Sequence, residues 1–321
     1  MKIAIIDDYL EVAAKMADWN KLPQGSQLET FRKPFSGLDE AASKLRGFDV
    51  IVAMRERTPF PAELLQRLKE LRLLVTTGMR NLSIDMKAAW NQGITVCGTR
   101  LLGYPAAELT WALILGLNKN LPAEVDSMRS GNWHVGLARG LNGKTLGIYG
   151  LGKLGSQVAK VGLAFRMRVI AWSTNLTRER CYEFGVDLVS RKDLFLESDI
   201  LTVHVVLSER TRSSIGSQEL GWMKPEAYLV NTSRGPVIKE SDLLDALHQN
   251  GIAGAALDVY DEEPLPANHP FRNQKNLLLT GHTGYVTEEN FRKGYEEALE
   301  NILAWHSSRP VRVLNAQDSV T

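Results

Sequence analysis

Three polar side chains that could act together in catalysis each follow a predicted apolar strand: Arg234 in LVNTSRGPVI, Glu263 in LDVYDEEPL and His282 in LLTGHTGY. An arginine is permanently charged and can bind a carboxylate through two hydrogen bonds. A histidine exchanges protons near neutral pH, and a neighbouring carboxylate can orient it. Each residue alone would be typical of a structural or solvated side chain. Together, in this order, they are what hydride transfer to a 2-keto acid requires, so we predict that all three are catalytic.

A glycine-rich turn precedes these residues and predicts a dinucleotide-binding site. GLGKLG places Gly150, Gly152 and Gly155 in the GxGxxG spacing, between the predicted strand KTLGIY and the predicted helix LGSQVAKVGLAF. In this motif the first glycine permits a tight turn, the second lets the backbone approach a pyrophosphate, and the third lets the helix pack on the strand. The helix N-terminus then offers N–H groups to the phosphates. We predict cofactor contacts from these glycines and from Lys153 and Leu154.

The next predicted strand, RVIAWS, ends without the acidic residue that favours NAD. An Asp or Glu about twenty residues past the glycines binds the ribose 2′-hydroxyl and would repel a 2′-phosphate. This chain has Ser173 there, followed by Thr174 and Asn175, and Arg178 or alternatively Arg180 could supply positive charge. We therefore predict NADP in preference to NAD. The alternative is that the arginines are solvated and NAD binds.

Short apolar runs alternate with amphipathic stretches along the chain, which is typical of parallel strands joined by helices. Strands are predicted at KIAIID, FDVIVAM, LRLLVTT and GITVCGT, and then at TLGIYG, RVIAWS, ILTVHVV, AYLVNTS, GAALDVY and NLLLTGH. The predicted fold class is α/β with two doubly wound parallel-sheet domains. In this arrangement a Rossmann nucleotide-binding domain is inserted into a flavodoxin-like substrate domain.

The predicted substrate-binding domain is discontinuous, comprising residues 1–99 and 286–321, and the dinucleotide-binding domain spans 100–285. A final helix beginning near Glu288 is long enough to return the chain to the first domain. Because open parallel sheets bind ligands at the carboxyl ends of their strands, we expect both sheets to contribute to one cleft. The helix predicted at Ala106 to Leu121 is apolar nearly all round, which indicates burial within the chain or against a second subunit.

Composition and charge exclude several classes of function. A net charge of +1 over 321 residues offers no surface for a polyanion, so we expect no nucleic-acid partner. No apolar run approaches the length of a membrane span, and acids interrupt MKIAIIDDYL too early for a signal peptide, so we expect a cytoplasmic protein. Cys97 and Cys181 make no disulfide framework, and the six histidines lack metal-ligand spacing, so no metal is expected.

Taken together, the motifs resemble those of the D-isomer-specific 2-hydroxyacid dehydrogenases, a family that includes glyoxylate/hydroxypyruvate reductases, phosphoglycerate dehydrogenases and D-lactate dehydrogenases. The resemblance covers almost the whole chain and rests on LNGKTLGIYGLGKLG, HVVLSERTRSSIG, LVNTSRGPVIKESDLLDAL, ALDVYDEEPLP and GHTGYVT. It implies hydride transfer between NAD(P)H and a small 2-keto acid, such as glyoxylate or hydroxypyruvate, in a homodimer.

The resemblance also implies roles for individual residues of the second domain. His282 would be the acid/base and pair with Glu263, Arg234 and His282 would bind the substrate, and Asp258 would lie near the nicotinamide carboxamide. Further cofactor contacts are expected from Val206, Thr211 and Thr232. Val206 departs from the family pattern, in which proline is frequent at this position near the adenine.

In the first domain, the resemblance implies that Gly78 and Met79 offer backbone N–H groups to the substrate carboxylate. Arg55, in RERT, would border the substrate pocket; the alternative is an ordinary polar loop. Arg80 and Arg100 replace residues that are usually uncharged or small, and could add affinity for anions.

Two other functions remain open on the same scaffold. Some relatives of this fold sense NADH and recruit partner proteins in transcriptional repression, and retention of Arg234, Glu263 and His282 argues against such a purely sensing role. A formate dehydrogenase would require a pocket too small for a 2-keto acid. We therefore expect an NAD(P)-dependent oxidoreductase that acts on the CH–OH group.

Overall fold

The computed structural model describes residues 1–316, which form two compact units. The first unit comprises Met1–Leu102 and the chain from Thr287 onward, and the second comprises Gly103–Val286. Residues 317–321 of the predicted first domain lie outside the described residues. The assignment of substrate binding to the first unit and dinucleotide binding to the second stays a prediction.

The elements of both units alternate between strand and helix. The strands are β1 Lys2–Ile5, β2 Gln27–Thr30, β3 Val50–Ala53, β4 Leu73–Thr77, β5 Thr95–Thr99, β6 Thr145–Tyr149, β7 Arg168–Trp172, β8 Asp187–Leu188, β9 Ile200–Val203, β10 Tyr228–Asn231, β11 Gly254–Leu257 and β12 Leu277–Leu279. The α-helices are α1 Ala13–Met16, α2 Leu38–Lys44, α3 Ala62–Arg67, α4 Met86–Asn91, α5 Pro105–Asn118, α6 Leu121–Arg129, α7 Lys153–Ala164, α8 Arg178–Tyr182, α9 Arg191–Glu197, α10 Ser217–Trp222, α11 Glu240–His248 and α12 Glu288–His306.

The sheet of the first unit is parallel throughout, in the order β2-β1-β3-β4-β5. β3 and β4 are fully buried, which explains the apolar run VIVA of β3 and the apolar start LLV of β4. Sequence reasoning missed β2 because this edge strand, QLET, is polar and partly exposed.

The sheet of the second unit is also parallel, in the order β12-β11-β10-β9-β6-β7-β8. The chain runs outward from β6 to β8 and then crosses to β9, so the direction of winding reverses between β6 and β9. Ligands of doubly wound sheets bind at such a reversal, beyond the carboxyl ends of the strands. The predicted fold class, with two parallel-sheet α/β domains, is confirmed.

The last residues of three neighbouring strands lie side by side in this sheet. Asn231 of β10 pairs with Leu257 of β11, which in turn pairs with Leu279 of β12. The segments that follow these strands therefore leave the sheet at the same level. Arg234, Glu263 and His282 belong to these three segments.

The helix predicted as one piece over 106–121 is wrong in extent. α5 ends at Asn118 and α6 begins at Leu121, because Asn120 between them has a left-handed backbone with φ of 51°. α5 buries Trp111 and Ile114 in the apolar core of the second unit. Burial within one chain thus accounts for much of its apolar surface.

The predicted strands β9 to β12 end two or three residues earlier than expected. At the end of β10, a side chain binds the backbone that follows. Asn231 accepts the Ser233 amide and donates to the Arg234 carbonyl, which turns the chain away from the sheet. No helix within residues 1–316 is long and apolar enough to cross a membrane.

Candidate active site

His282 and Glu263 form a direct side-chain pair. His282 Nδ1 lies 2.5 Å from Glu263 Oε2, and the other carboxylate oxygen, Oε1, accepts the Tyr260 amide at 2.9 Å. The two side chains are 26% and 33% exposed, so each is reachable from one side. Because Nδ1 faces the carboxylate, Nε2 is the ring nitrogen that can face a substrate.

Glu263 is an anion at neutral pH. Burial alone would raise the pKa of its carboxyl, but the hydrogen bond and charge of His282, the Tyr260 amide and the charge of Arg234 together lower that pKa. An ionised carboxylate only accepts hydrogen bonds, so His282 Nδ1 carries the proton in this pair. The pair therefore has the orientation that an acid/base histidine needs.

Arg234 lies close to the Glu263 loop. The Asn231 side chain holds the turn that carries Arg234, donating from Nδ2 to the Arg234 carbonyl at 3.0 Å. Gly235, the next residue, packs directly on the Tyr260 backbone, where a Cβ would lie 2.1 Å from the Tyr260 carbonyl carbon. Only glycine fits there, so these two loops are locked backbone to backbone.

Asp258 is 1% exposed, and its carboxylate binds the loop that carries His282. Oδ1 accepts the Thr280 hydroxyl at 2.7 Å, the Thr283 amide at 2.7 Å and the Thr283 hydroxyl at 3.3 Å, and Oδ2 accepts the Gly284 amide at 2.9 Å. Sequence reasoning did not include Thr280, Thr283 or Gly284 in the site. The signal available was a histidine flanked by small and hydroxyl residues in LLTGHTGY.

The Tyr260 side chain connects the carboxyl ends of β11 and β12. Its hydroxyl lies 2.7 Å from the Thr280 carbonyl oxygen and 3.1 Å from the Leu257 carbonyl oxygen, so its single proton is shared between these two acceptors. Burial, reinforced by the negative charges of Asp258 and Glu263, raises the pKa of the Tyr260 phenol. The phenol therefore stays protonated and remains a donor.

The glycine turn has the shape that a dinucleotide requires. Gly150 has φ of 109°, and a Cβ on it would lie 2.9 Å from Val205 Cγ1; a Cβ on Gly155 would lie 2.2 Å from the Gly150 carbonyl oxygen. By contrast, a Cβ on Gly152 would meet no atom within 4 Å. The turn is thus tight, its helix packs closely, and its middle glycine exposes backbone, as a pyrophosphate site needs.

α7 starts directly after this turn, with Lys153 and Leu154 in its first turn. The first N–H groups of a helix have no acceptor within the helix and point outward at its N-terminus. Lys153 is exposed at this end. These residues fit a nicotinamide dinucleotide, because the α7 N-terminus could hold its pyrophosphate.

The two candidate arginines after β7, Arg178 and Arg180, have different surroundings. Ser173 is half-buried, and Thr174 and Asn175 are exposed in the turn that follows. Arg180 pairs with Glu183 at 2.6 Å and lies 4.4 Å above the Phe184 ring. Arg178 at the start of α8 is exposed and forms no ion pair with any residue in 1–316.

The remaining predicted cofactor residues lie in two places. Val206 is 67% exposed in the loop after β9, and Thr211 shapes that loop by donating to the Val206 carbonyl at 2.7 Å. Thr232 is buried after β10, with its hydroxyl 2.7 Å from that of Thr110 in α5. Its position is set by α5, which the sequence alone did not reveal.

In the first unit, Arg55, Gly78 and Met79 come together at the carboxyl ends of β3 and β4. The Arg55 guanidinium lies over Gly78, where a Cβ would be 2.1 Å from Arg55 Nη1. The Gly78 amide donates to Thr99 Oγ1 at 3.2 Å, whereas the Met79 amide has no acceptor within residues 1–316. Of the two expected N–H donors, Met79 is thus the better placed.

The two arginines that depart from the family pattern differ in their surroundings. Arg100 pairs with the buried Glu297 at 2.9 Å, and its backbone amide binds the same carboxylate. This arginine is part of a structural ion pair. Arg80 is exposed next to Met79.

Comparison with known proteins gives consistent matches. Residues 111–284 match the model of the D-isomer specific 2-hydroxyacid dehydrogenase family, NAD binding domain. The chain is 39% identical over 266 residues to a glyoxylate reductase of Aeropyrum pernix, covering 79% of each chain. It is 35% identical over 255 residues to a D-3-phosphoglycerate dehydrogenase of Methanocaldococcus jannaschii, covering 78% of this chain and 48% of that one. A crystal structure of a phosphoglycerate oxidoreductase from Vibrio cholerae superposes with a TM-score of 0.91 at 34% identity, covering 96% of this chain and 99% of that one.

Proposed function

The chain belongs to the D-isomer-specific 2-hydroxyacid dehydrogenase family, and we propose that it acts as a reductase of small 2-keto acids with His282 as the acid/base. It is an oxidoreductase that uses a nicotinamide dinucleotide and acts on the CH–OH group of 2-hydroxy acids. The observation that carries the proposal is the His282–Glu263 pair beside Arg234, at the ends of three neighbouring strands.

Each of the three side chains has a separate role in the proposed reaction. Bound NAD(P)H supplies the hydride. Arg234 binds the substrate carboxylate through its guanidinium and polarises the adjacent ketone. His282 gives its Nε2 proton to the alkoxide oxygen that forms at C2, and the Glu263 anion stabilises the protonated imidazole before transfer and orients it throughout. In the oxidation direction His282 takes the same proton back.

We propose that the cofactor preference is for NADP. Ser173 leaves the ribose position without a negative charge, and Arg178 has a guanidinium available for a 2′-phosphate. Arg180 is less suited because Glu183 already neutralises it. Thr174 and Asn175 provide exposed polar groups in the same turn.

Glyoxylate or hydroxypyruvate is the proposed substrate. The relative in Aeropyrum pernix is a glyoxylate reductase and matches along most of both chains, whereas the match to the Methanocaldococcus jannaschii dehydrogenase spans about half of that protein. In the first unit, the Arg55 guanidinium and the Met79 amide are both suited to a substrate carboxylate.

We further propose a homodimer formed through α6 and the segment after it. Residues 131–140 form an exposed segment outside the helices and strands, named here the arm, which carries Trp133, Val135 and Leu137. Leu137 is fully exposed and Trp133 is 68% exposed. α6 adds the exposed Leu121, Val125 and Met128. A concentration of exposed apolar side chains of this kind is typical of a protein interface.

A cytoplasmic location is proposed from the two cysteines, both of which are reduced and buried. The enzyme proposal is tested by following absorbance at 340 nm with NADPH and then NADH, over glyoxylate, hydroxypyruvate, pyruvate and phenylpyruvate. Turnover of at least one 2-keto acid supports it. Tight cofactor binding with no turnover would overturn it and favour an NADH-sensing protein.

A further inference from the structure

We propose that Asp258 is a positioning residue that holds His282 in its catalytic orientation by binding the loop on both sides of it, through the Thr280 hydroxyl before His282 and through two backbone amides after it. This inference rests on the proposed role of His282. It differs from a role in which Asp258 serves only the nicotinamide, because the contacts that carry it are made within the protein.

The His282 backbone adopts a conformation that needs such support. Its φ is 53°, in the left-handed region that a residue with a Cβ rarely occupies. Strained conformations of this kind persist only where the surrounding structure holds them. Gly281, which precedes His282, has no side chain that could restrict the loop.

Asp258 supplies the restraint. Its carboxylate accepts Thr280 on the near side of His282, and the Thr283 and Gly284 amides on the far side, at 2.7 to 2.9 Å. A Cβ on Gly284 would lie 3.0 Å from Asp258 Oδ2, so the loop already lies against the carboxylate as closely as it can. With both flanks bound to one buried group, His282 has little freedom to turn away from Glu263.

The same carboxylate binds the chain soon after β12 ends. Thr280 is the first residue after β12, and its amide still bonds to the Leu257 carbonyl. The Thr283 and Gly284 amides bind Asp258 in place of the sheet. The position of the His282 loop is therefore set by a side chain that follows the neighbouring strand β11 directly.

Two substitutions test the proposal without changing Arg234, Glu263 or His282. Asp258→Asn places an N–H donor opposite the Gly284 amide and so weakens one tether. Thr280→Val removes one donor and leaves the Asp258 carboxylate intact for any cofactor contact. Lys275→Ala, at the exposed turn directly before β12, is the matched control.

We expect kcat to fall about tenfold or more in Asp258→Asn and about threefold to tenfold in Thr280→Val, because small displacements of a catalytic group are costly. The NADPH dissociation constant, from quenching of tryptophan fluorescence, should stay within about twofold of wild type in Thr280→Val. Unchanged kcat in Thr280→Val, or a loss of NADPH affinity matching the loss of kcat, would overturn the proposal. Because Thr280→Val is nearly isosteric, it decides the matter even if Asp258→Asn folds poorly.

A second readout does not depend on turnover. Long-range 1H–15N spectra report the imidazole nitrogens, and His282→Gln identifies the His282 signals. In Thr280→Val we expect the Nδ1–H signal to shift or broaden as the bond to Glu263 loosens, and an unchanged signal would contradict the positioning role. A wild-type protein that reduces no 2-keto acid would refute the proposed function, while this spectrum would still decide whether Asp258 positions His282.

Discussion

His282 Nδ1 lies 2.5 Å from Glu263 Oε2, and the carboxylate is itself fixed by the Tyr260 amide on its other oxygen. This relationship determines which ring nitrogen is available for chemistry. Nδ1 is held by an anion, so proton exchange with a substrate must use Nε2. The pKa of Glu263, lowered in spite of burial, keeps the pair in that state at neutral pH.

Replacing Glu263 with Gln should reduce kcat/KM by about 10²- to 10³-fold, because the amide cannot stabilise a protonated imidazole. The fold should be retained, since a Gln side-chain oxygen can still accept the Tyr260 amide. Steady-state kinetics measure the effect, and Glu262→Gln is the matched control one residue away. Equal losses of kcat/KM in the two variants would contradict this prediction, because they would show that activity depends on the charge of the loop and not on the His282–Glu263 pair.

The cofactor tip can be tested with three variants. Ser173→Asp should change the ratio of kcat/KM for NADPH over NADH by about tenfold or more toward NADH, by repelling the 2′-phosphate. Arg178→Ala should weaken the binding of NADPH by about tenfold, the equivalent of about 1.4 kcal/mol, and leave the binding of NADH unaffected. Arg180→Ala should change little because Glu183 holds that side chain. A larger effect of Arg180 than of Arg178 would reverse this assignment.

The arm offers a test of the dimer. Trp133→Asp combined with Leu137→Asp should convert the protein from two chains to one, as measured by light scattering during gel filtration. Neither side chain belongs to the buried core, so the folded chain should survive. Tyr182→Asp is the control, since Tyr182 is 88% exposed in α8, away from the arm in sequence. A wild-type mass of one chain would refute the dimer directly.

Because the pKa of His204 is lowered in the folded chain, we expect the free energy of unfolding to depend on pH. Burial lowers its pKa from 6.5 to about 4, and its Nε2 lies 2.9 Å from Thr202 Oγ1. Below pH 6.5 His204 is protonated in the unfolded chain, whereas in the folded chain it stays neutral until the pH approaches 4. The free energy of unfolding therefore decreases as the pH falls from 6.5 toward 4. From pH 7.5 to pH 5 the loss from this group should be about 2 kcal/mol, at about 1.4 kcal/mol per pKa unit.

Urea unfolding at the two pH values measures that loss. His204→Gln should flatten the pH dependence relative to wild type, whatever its effect at pH 7.5. His248→Gln is the control, because His248 is exposed at the end of α11. Parallel pH dependences for wild type and His204→Gln would show that His204 does not carry the effect.

The fold class was predictable because buried parallel strands such as VIVA and TLGIY read as continuous apolar runs. The edge strands β2 and β8 were not, since one is polar and the other has two residues. The break between α5 and α6 depends on the left-handed backbone at Asn120, a conformation that asparagine adopts more readily than most residues but that its type alone does not require.

In the candidate site, only the residues that lie at the ends of strands could be predicted from the sequence. Arg234, Glu263 and His282 stand out because polar residues follow apolar strands in succession. The tethers of His282 join residues 22 to 26 positions apart, from Asp258 to Thr280 and to Gly284, and become visible only when β11 and β12 pair. The fit of Gly235 against Tyr260 is likewise a contact between two strands' loops.

The most direct test of the central claim is NADPH oxidation by His282→Asn with glyoxylate and hydroxypyruvate, alongside NADPH binding by the same variant. We predict that kcat falls by at least about 10³-fold, because the imidazole that supplies the proton is removed, while NADPH affinity stays within about twofold. A variant that keeps more than about a tenth of the wild-type kcat would contradict the assignment of His282 as the acid/base.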